Sequence, residues 1–246
     1  MELTQENRKV QFPDSKNQKK GIIFCDLEGT LTEEVSFWKN LNLEMGMTKE
    51  EDEFLYEEFM RDMSKYALWA QKIFLRWRDL NKTTLYKLNK EFFITFFKQH
   101  LKIKEGAKNF VQRCRLNYMV YVISGTPWEF CALAKEILQF NDYFSTTTFQ
   151  FDENEQLKAI KGHEDGFYKD RIMLRIAKSL GYSRSQIIAI GDSENDFLML
   201  NKAGRGILVG KSVKFTSLET ILNSNVIRME NLDFEEVLRL IEEFIP

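Results

Sequence analysis

The stretch IIFCDLEGTLT, residues 22–32, places two acidic side chains directly after a short apolar run. Residues 22–25 are typical of a buried strand in a parallel sheet. Asp26 and Glu28 follow this run, and residues two apart on an extended chain point the same way. Because like charges this close repel each other and are costly to bury, the stretch predicts a bound cation, a shared proton, or both.

Further apolar runs repeat this arrangement along the chain. They predict strands at 21–25, 119–123, 186–190, 206–210 and 225–229, and the spacing between them predicts helices at 105–117, 128–140, 168–180, 194–203 and 233–244. Alternating strands and helices indicate an α/β fold with a doubly wound parallel sheet and helices on both faces. Ligands of such sheets bind at the carboxyl ends of the strands, so we expect Asp26, Ser124 and Asp192 to meet in one crevice.

Residues 33–104 interrupt the alternation with helical patterns at 50–63, 66–77 and 85–101 and no convincing strand. Fourteen of the 33 aromatic residues of the chain lie within 32–105. We expect these rings to form the core of a helical insert, and some of them also to line a substrate entrance, because an insert at this place can act as a lid. The predicted organisation is a polar leader at 1–20, a core at 21–32 and 105–246, and a helical cap at 33–104.

Composition excludes several classes of function. The formal net charge of −2 gives no reason to expect nucleic acid as a partner, and no apolar run reaches the length of a membrane span. The N-terminal residues lack the apolar segment of a secretory signal. The three cysteines, Cys25, Cys114 and Cys131, have no metal-like spacing, which favours a reducing cytoplasm. The chain has only two histidines, His100 and His163, which argues against a histidine-rich metal site.

Three polar segments suit chemistry on a phosphate. Asp26 is a candidate nucleophile toward phosphorus, and Glu28 can handle protons beside it. Ser124 and Gly125 end the second predicted strand, where a hydroxyl and backbone N–H groups suit phosphate oxygens. Lys169 begins a predicted helix and can place a positive charge on the transferring group.

The fourth segment, GDSEND at 191–196, adds acids at a third strand end. The carboxylates of Asp26, Asp192 and Asp196, with a backbone carbonyl, make an oxygen-only ligand set suited to Mg²⁺. Each segment alone also has a structural explanation, as a turn, a helix cap or a solvated lysine. Their order and their common position at strand ends favour the functional interpretation.

The order D-x-E-G-T, then S-G-T after a strand, then a lysine, then G-D-S-E-N-D resembles the four motifs of the haloacid dehalogenase superfamily of phosphatases. The helical insert resembles the C1 cap of its phosphoserine-phosphatase-like members. The resemblance runs from about residue 21 to the C-terminus and implies a Rossmann-like core that acts on a small phosphorylated metabolite with Mg²⁺.

The resemblance also implies a role for each matching residue. Asp26 would be the nucleophile, Glu28 the general acid and base, and Lys169 would steady the phosphoaspartate. Phosphate would be bound by Thr30, Ser124, Gly125 and Asn195. The metal would be held by Asp26, the backbone carbonyl of Glu28 and Asp192, with Asp196 behind them through a water or hydrogen bond.

Two departures from the family pattern stand out. Glu28 occupies a position where most phosphatases of the superfamily carry aspartate, which resembles the bifunctional phosphoserine phosphatase/homoserine kinase branch. In the cap, the glutamate that holds the substrate amine has no match at the family spacing, where Val35 stands. The family arginine that pairs with a substrate carboxylate aligns best with Arg76, and a family methionine aligns with Met63.

Three hypotheses follow from the sequence. The first is a Mg²⁺-dependent phosphomonoester hydrolase that acts on a small, phosphoserine-like metabolite through an aspartyl-phosphate intermediate. The second is a phosphotransferase that passes the phosphoryl group to an alcohol instead of water. The third is a non-catalytic phosphate-binding protein on the same fold.

Overall fold

The computed structural model describes residues 19–33, 37–62, 65–83, 85–163, 168–210 and 222–246. Its strands are β1 (Gly21–Cys25), β2 (Tyr118–Pro127), β3 (Asp142–Phe151), β4 (Leu157–Gly162), β5 (Ile187–Gly191), β6 (Arg205–Val209) and β7 (Val226–Met229). Its α-helices are α1 (Phe37–Glu44), α2 (Lys49–Arg61), α3 (Tyr66–Leu80), α4 (Lys90–His100), α5 (Ala107–Asn117), α6 (Trp128–Leu138), α7 (Lys169–Ser179), α8 (Phe197–Lys202) and α9 (Phe234–Phe244).

The seven described strands form one sheet in the order β4-β3-β2-β1-β5-β6-β7. All neighbouring pairs are parallel except β3 and β4. The fully buried β1 lies between β2 and β5, with Ile23 opposite both Val120 and Ile188. Strands β2, β3 and β4 lie on one side of β1, and β5, β6 and β7 lie on the other. Because the strand order changes direction at β1, a crevice opens at the carboxyl end of β1, between its two neighbours. The predicted α/β class with a Rossmann-like, mainly parallel sheet is confirmed.

Two strands and one cap helix were not predicted from the sequence. Strands β3 and β4 form an antiparallel hairpin at the edge of the sheet, and β3 is rich in threonine rather than in aliphatic residues. Helix α1 precedes the first predicted cap helix. The predicted helix at 85–101 is two elements, a 3₁₀ turn at Leu85–Leu88 and α4, since Asn89 caps α4 by accepting a hydrogen bond from the amide of Phe92.

The cap helices α1–α4 pack on the core and share its hydrophobic interior. The ring of Phe93 in α4 lies 4.9 Å from the ring of Phe149 in β3, measured between centroids. Helix α3 packs against β4 so closely that a Cβ atom at Gly162 would lie 2.9 Å from the Cα atom of Ala67. The division into a cap at 33–104 and a core stays a prediction, and residues 1–18 of the predicted leader lie outside the described residues.

Within the described residues, no helix is both long and apolar enough to span a membrane.

Candidate active site

The carboxyl ends of β1, β2 and β5 bring the predicted site residues together. Asp26 follows β1, and its backbone N–H donates a 2.9 Å hydrogen bond to the carbonyl of Ile190 in β5. Ser124 lies on β2, and Asp192 directly follows β5. Asp26, Ser124 and Asp192 all line one cavity. The expectation that three segments distant in sequence meet at one crevice therefore agrees with the structure.

Lys169, the first residue of α7, connects two of the acids. Its Nζ lies 2.8 Å from Asp26 Oδ1 and 2.8 Å from Asp196 Oδ1, and all three side chains are buried. Burial alone would lower the pKa of Lys169, but the carboxylates of Asp196 and Asp26 raise it above its usual value. The lysine is therefore a fixed positive charge beside the candidate nucleophile.

The carboxylates of Asp26, Asp192 and Asp196 form a buried cluster, with one oxygen of each lying within 4.8 Å of the others. Burial raises the pKa of Asp26 to about 6 against the opposing effect of Lys169. Burial and the charges of Asp26 and Asp196 raise the pKa of Asp192 to about 8. One lysine thus compensates these acids only in part, and the remaining negative charge suits a divalent cation with oxygen ligands.

The hydrogen bonds of Asp196 distinguish it from the other two acids. Its Oδ1 accepts from Lys169, and its Oδ2 accepts from the backbone N–H groups of Asp192 and Ser193 at 3.2 Å each and from the Ser193 hydroxyl at 3.1 Å. With both oxygens engaged, Asp196 shapes the loop after β5. Asp26 and Asp192 are then the side chains better suited to bind a metal directly.

Two glycines allow the acidic loops to approach each other. Gly29 has φ +71°, and a Cβ atom there would lie 2.1 Å from Asp192 Oδ2. A Cβ atom at Gly191 would lie 2.4 Å from the carboxyl carbon of Asp196. Beside Gly29, the Thr30 hydroxyl donates a 3.1 Å hydrogen bond to Asp192 Oδ1. The glycine of D-x-E-G-T is therefore required by the close contact of the first and last polar loops.

Ser124 is arranged as a hydrogen-bond donor to the cavity. Its Oγ accepts from the backbone N–H of Thr126 at 3.2 Å and from the Thr126 hydroxyl at 3.0 Å. A serine hydroxyl has two acceptor positions and one proton. Because both acceptor positions are used, the Ser124 proton is available to a ligand oxygen.

Glu28 lines the same cavity and also contacts the cap. Its Oε1 accepts a hydrogen bond from the backbone N–H of Phe37, the first residue of α1. The first N–H groups of a helix have no partner within the helix, so a carboxylate there is favourable. The glutamate thus holds the start of a cap helix from the wall of the cavity.

The cavity has a volume of about 700 Å³ and lies between the core and the cap. Asn195 lines it and has a buried Oδ1 without a hydrogen-bond partner among the described residues. The aromatic side chains that line it are Phe37, Trp38, Tyr56, Phe59, Tyr66 and Trp69. The cap aromatics therefore divide as expected between a packed core and a cavity wall.

The structure does not bring Arg76 to this cavity. Its guanidinium pairs with Glu51 at the start of α2 and lies 3.5 Å from Asp79, and Arg76 is absent from the cavity lining. The expected contact of Arg76 with a substrate carboxylate stays a prediction, and in the structure nearby cap acids hold this arginine. Met63, the other predicted cap contact, lies outside the described residues.

Other contacts around the site were not predicted. The carbonyl of Gly125 accepts from Trp38 Nε1 at 3.1 Å and from Tyr66 Oη at 3.2 Å, so two cap residues dock on the second polar segment. Lys104 donates to the carbonyl of Gly29, and burial lowers its pKa despite the nearby carboxylates of Asp192 and Glu33. The many aromatic residues of the cap could have suggested that Trp38 and Tyr66 lie near the site, whereas no sequence motif includes Lys104.

Comparison with known proteins is consistent with this arrangement. A sequence model described as haloacid dehalogenase-like hydrolase matches residues 20–204. A protein named phosphoserine phosphatase from Archaeoglobus fulgidus is 32% identical over 147 residues, which cover 58% of this chain and 41% of the relative. Another of that name, from Streptomyces coelicolor, is 31% identical over 44% of this chain and 26% of the relative. The chain thus spans less than half the length of these relatives.

Solved structures show the same fold at lower sequence identity. A substrate-bound phosphoserine phosphatase complex has a TM-score of 0.66 and 22% identity, over 92% of this chain and all of that one. A HAD family hydrolase from Salmonella enterica serovar Typhi has a TM-score of 0.69 and 21% identity, over 92% of this chain and 72% of that one.

Proposed function

The chain belongs to the haloacid dehalogenase-like hydrolase family, and from this we propose that it hydrolyses a small phosphomonoester through an aspartyl-phosphate intermediate. The observation that carries the proposal is the Asp26–Lys169–Asp196 arrangement, a buried carboxylate held by a buried ammonium at the end of the central strand. Such a pair suits attack on phosphorus, because the lysine also stabilises charge on the transferring oxygens. The relatives' names make phosphoserine the reference ester.

The donor set at the site fits Mg²⁺. Asp26, Asp192 and the backbone carbonyl of Glu28 would hold the ion, and Asp196 would position this loop and Lys169. Burial and neighbouring acids raise the pKa of Asp192, so a cation bound there would favour its charged form. Bound there, Mg²⁺ would stabilise negative charge on the phosphoryl oxygens.

In the first step, an oxygen of Asp26 forms a bond to phosphorus while the bond from phosphorus to the ester oxygen breaks. Glu28 gives its proton to the departing alkoxide. The Ser124 hydroxyl, whose two acceptor positions are occupied, donates to a phosphoryl oxygen, as does the backbone of Gly125. Asn195, which lines the cavity, completes the proposed phosphate site, whereas the Thr30 hydroxyl donates to Asp192 and would act by positioning that acid.

In the second step, Glu28 takes a proton from water, and the water oxygen forms a bond to phosphorus. The bond between phosphorus and Asp26 breaks, which restores the free carboxylate and releases inorganic phosphate. Lys169 stays protonated throughout because Asp196 and Asp26 raise its pKa. The cap helices exclude bulk water from the cavity during both steps.

The test is phosphate release from a panel of phosphomonoesters, including phosphoserine and 4-nitrophenyl phosphate, with and without Mg²⁺. We expect Mg²⁺-dependent release that Asp26→Asn reduces by at least about a thousandfold, as for loss of a covalent nucleophile. The matched control is Asp170→Asn, a buried aspartate paired with Lys202 and outside the cavity lining. Equal loss in both variants, or no release by the folded wild type, would refute the hydrolase proposal.

The same assay separates hydrolysis from transfer to an alcohol. With an added alcohol acceptor, a phosphotransferase forms a new phosphate ester and releases less inorganic phosphate per ester consumed. We expect phosphate release to match ester consumption at every acceptor concentration, and product analysis by ³¹P NMR measures both.

A further inference from the structure

We infer that the cavity takes a phosphomonoester whose alcohol part carries a positive charge and no carboxylate, such as a phosphorylated amino alcohol or quaternary ammonium alcohol. This inference rests on the proposed function, because it concerns the leaving group of the same reaction. It follows from the rings and charges that line the cavity wall outside the reacting acids.

Aromatic rings from α1, α2 and α3 form that wall. Trp69 is central to it, with its ring 5.1 Å from Trp38, 5.4 Å from Phe59 and 5.7 Å from Tyr66, measured between centroids. Tyr56 also lines the cavity and is half exposed, on the same helix as Phe59. Faces of tryptophan and tyrosine rings attract an organic cation, and the attraction is greatest where water is excluded.

The charges on this side of the cavity are mainly negative. Outside the reacting centre, the described lining residues include the acids Asp52, Glu53 and Glu194 and one cation, Lys39. The ammonium of Lys39 lies 3.7 Å from Glu53, which compensates its charge. Asp52, whose Oδ1 accepts a 2.7 Å hydrogen bond from the Asn42 side chain, and Glu194 then remain as negative charges of the lining, and an ammonium group on the ligand would be attracted to both.

Tyr56 and Glu194 bring the cap and the core together at this wall. Both side chains line the cavity, Tyr56 from α2 and Glu194 from the loop after β5. Burial raises the pKa of Tyr56, and the Glu194 carboxylate raises it further. A ring in α2 beside a carboxylate on the loop after β5 makes a two-sided site for a cation. Because Tyr56 belongs to the cap and Glu194 to the core, a cation can contact both residues only when the cap is docked on the core.

A carboxylate on the leaving group has no comparable partner. No arginine lines the described part of the cavity, and the guanidinium of Arg76 pairs with Glu51. A ligand carboxylate would have to compete with Glu53 for Lys39 and would face Asp52 and Glu194. The wall therefore favours phosphoethanolamine over phosphoserine, which differs from it by that carboxylate.

The decisive comparison uses phosphocholine and its uncharged carbon isostere, 3,3-dimethylbutyl phosphate. Binding to the Asp26→Asn variant in Mg²⁺ is followed by tryptophan fluorescence, because Trp38 and Trp69 line the cavity. We expect phosphocholine to bind about tenfold more tightly than the isostere, in the range of a partly desolvated cation–π site. We also expect phosphoethanolamine to bind more tightly than phosphoserine. Equal or reversed order in either pair would overturn the inference.

Substitutions in the cavity wall test which residues cause the preference for phosphocholine over its uncharged isostere. Tyr56→Leu and Glu194→Gln should each reduce the ratio of the two dissociation constants at least about threefold, whereas Tyr56→Phe should retain it because the ring remains. The matched control is Phe54→Leu, an aromatic residue of the same helix that is 63% exposed and outside the cavity lining. A ratio that falls equally in the control would overturn the assignment of the preference to this wall.

Wild-type turnover then separates this inference from the function on which it rests. Release of phosphate from 4-nitrophenyl phosphate that depends on Asp26, without any preference among the alkyl esters in the binding assay, would remove the inference and leave the hydrolase proposal standing. A preference for phosphocholine in the binding assay without turnover of any ester would support the cation site and contradict the hydrolase proposal.

Discussion

Glu28 contacts both the cavity and the cap, and its length matters to both contacts. Its carboxyl group reaches the backbone N–H of Phe37 at the start of α1 while it lines the cavity. An aspartate has one methylene fewer and would not reach that amide from the same backbone position. The glutamate therefore gives a physical reason for the departure from the family pattern in D-x-E-G-T.

Substitution of Glu28 can separate its contact with the cap from its proposed proton transfer. Glu28→Gln keeps an oxygen that can accept from Phe37 but cannot transfer protons. We expect kcat/KM for an alkyl phosphate to fall about a hundredfold or more, and kcat/KM for 4-nitrophenyl phosphate to fall much less, because this constant reports the steps through departure of the alcohol and nitrophenolate leaves without a proton. Steady-state kinetics with both esters measure this difference. An equal loss with the two esters would contradict the role of Glu28 as general acid.

Glu129, at the start of α6, is a partly buried acid that the proposed reaction does not use. Burial raises its pKa to about 7, against the favourable effects of Lys90 and the Phe149 amide. The folded protein therefore holds this proton more tightly than the unfolded chain between about pH 4.5 and pH 7. As a result, the contribution of Glu129 to the free energy of unfolding decreases as the pH rises through this range.

Glu129→Gln should remove this dependence. We expect the variant to be more stable than wild type at pH 8, on the order of 1–3 kcal/mol, and the difference to disappear below about pH 4. Chemical denaturation across this pH range measures the effect. Glu136→Gln, on the exposed side of the same helix, is the control and should leave the profile unchanged. A parallel shift of the whole profile in Glu129→Gln would disprove the explanation.

At the scale of elements, the docking of the cap on β2 depends on polar contacts as well as on packing. Tyr66 Oη, at the start of α3, donates to the Gly125 carbonyl and accepts a 3.1 Å hydrogen bond from the Thr146 hydroxyl. Trp38 in α1 shares the same carbonyl. Two helices of the cap thus dock on the backbone of the proposed phosphate site.

Tyr66→Phe tests whether this docking supports the reaction. We expect kcat/KM for 4-nitrophenyl phosphate to fall about tenfold and the free energy of unfolding to fall by about 1 kcal/mol, as for a lost buried hydrogen bond. Tyr118→Phe is the control, because it loses a 2.7 Å hydrogen bond to the Ile245 carbonyl at the amino end of the same strand β2. Similar destabilisation with full activity is expected there. Loss of activity in both variants would indicate a general effect of stability.

The elements that the sequence predicted best are those with the strongest local signals. Strands β1, β2, β5 and β6 are apolar runs that end in glycine or polar turns, and acids of the site directly follow β1 and β5. Strand β3 has the sequence DYFSTTTFQF, in which threonines pack under the cap and hide the apolar pattern. The partners of Arg76 could not be predicted from the sequence either, because its contact with Glu51 depends on how α2 and α3 cross.

At the scale of the whole molecule, the buried acids make the metal-free protein less stable than its core alone would allow. Asp192 has a pKa of about 8, because burial and the other acids oppose its charge. Its proton is held more tightly in the folded state than in the unfolded chain, so the free energy of unfolding decreases as the pH rises toward 8. A bound cation would reverse this, because it binds only the folded state.

Asp192→Asn should therefore separate stability from metal binding. At pH 7.5 without Mg²⁺, we expect the variant to unfold with a free energy at least about 1 kcal/mol higher than wild type. Mg²⁺ at a hundred times its dissociation constant should stabilise wild type by about 2.7 kcal/mol and the variant much less. Thermal unfolding with and without Mg²⁺ measures both effects. A variant that is less stable than wild type in the absence of Mg²⁺ would contradict the repulsion described here.

The close packing of α3 on β4 has a consequence for exchanging caps between members of the family. A cap taken from another member would have to match the contact at Gly162, where no side chain fits beneath Ala67. It would also leave the rings of β3 without the α4 rings that cover them. A chimaera that transplants only the helices between β1 and α5 would therefore misfit its host. The hairpin β3–β4 would have to be transferred together with the cap helices. The part of the fold that can be exchanged to change the substrate therefore consists of two segments that are separate in the sequence.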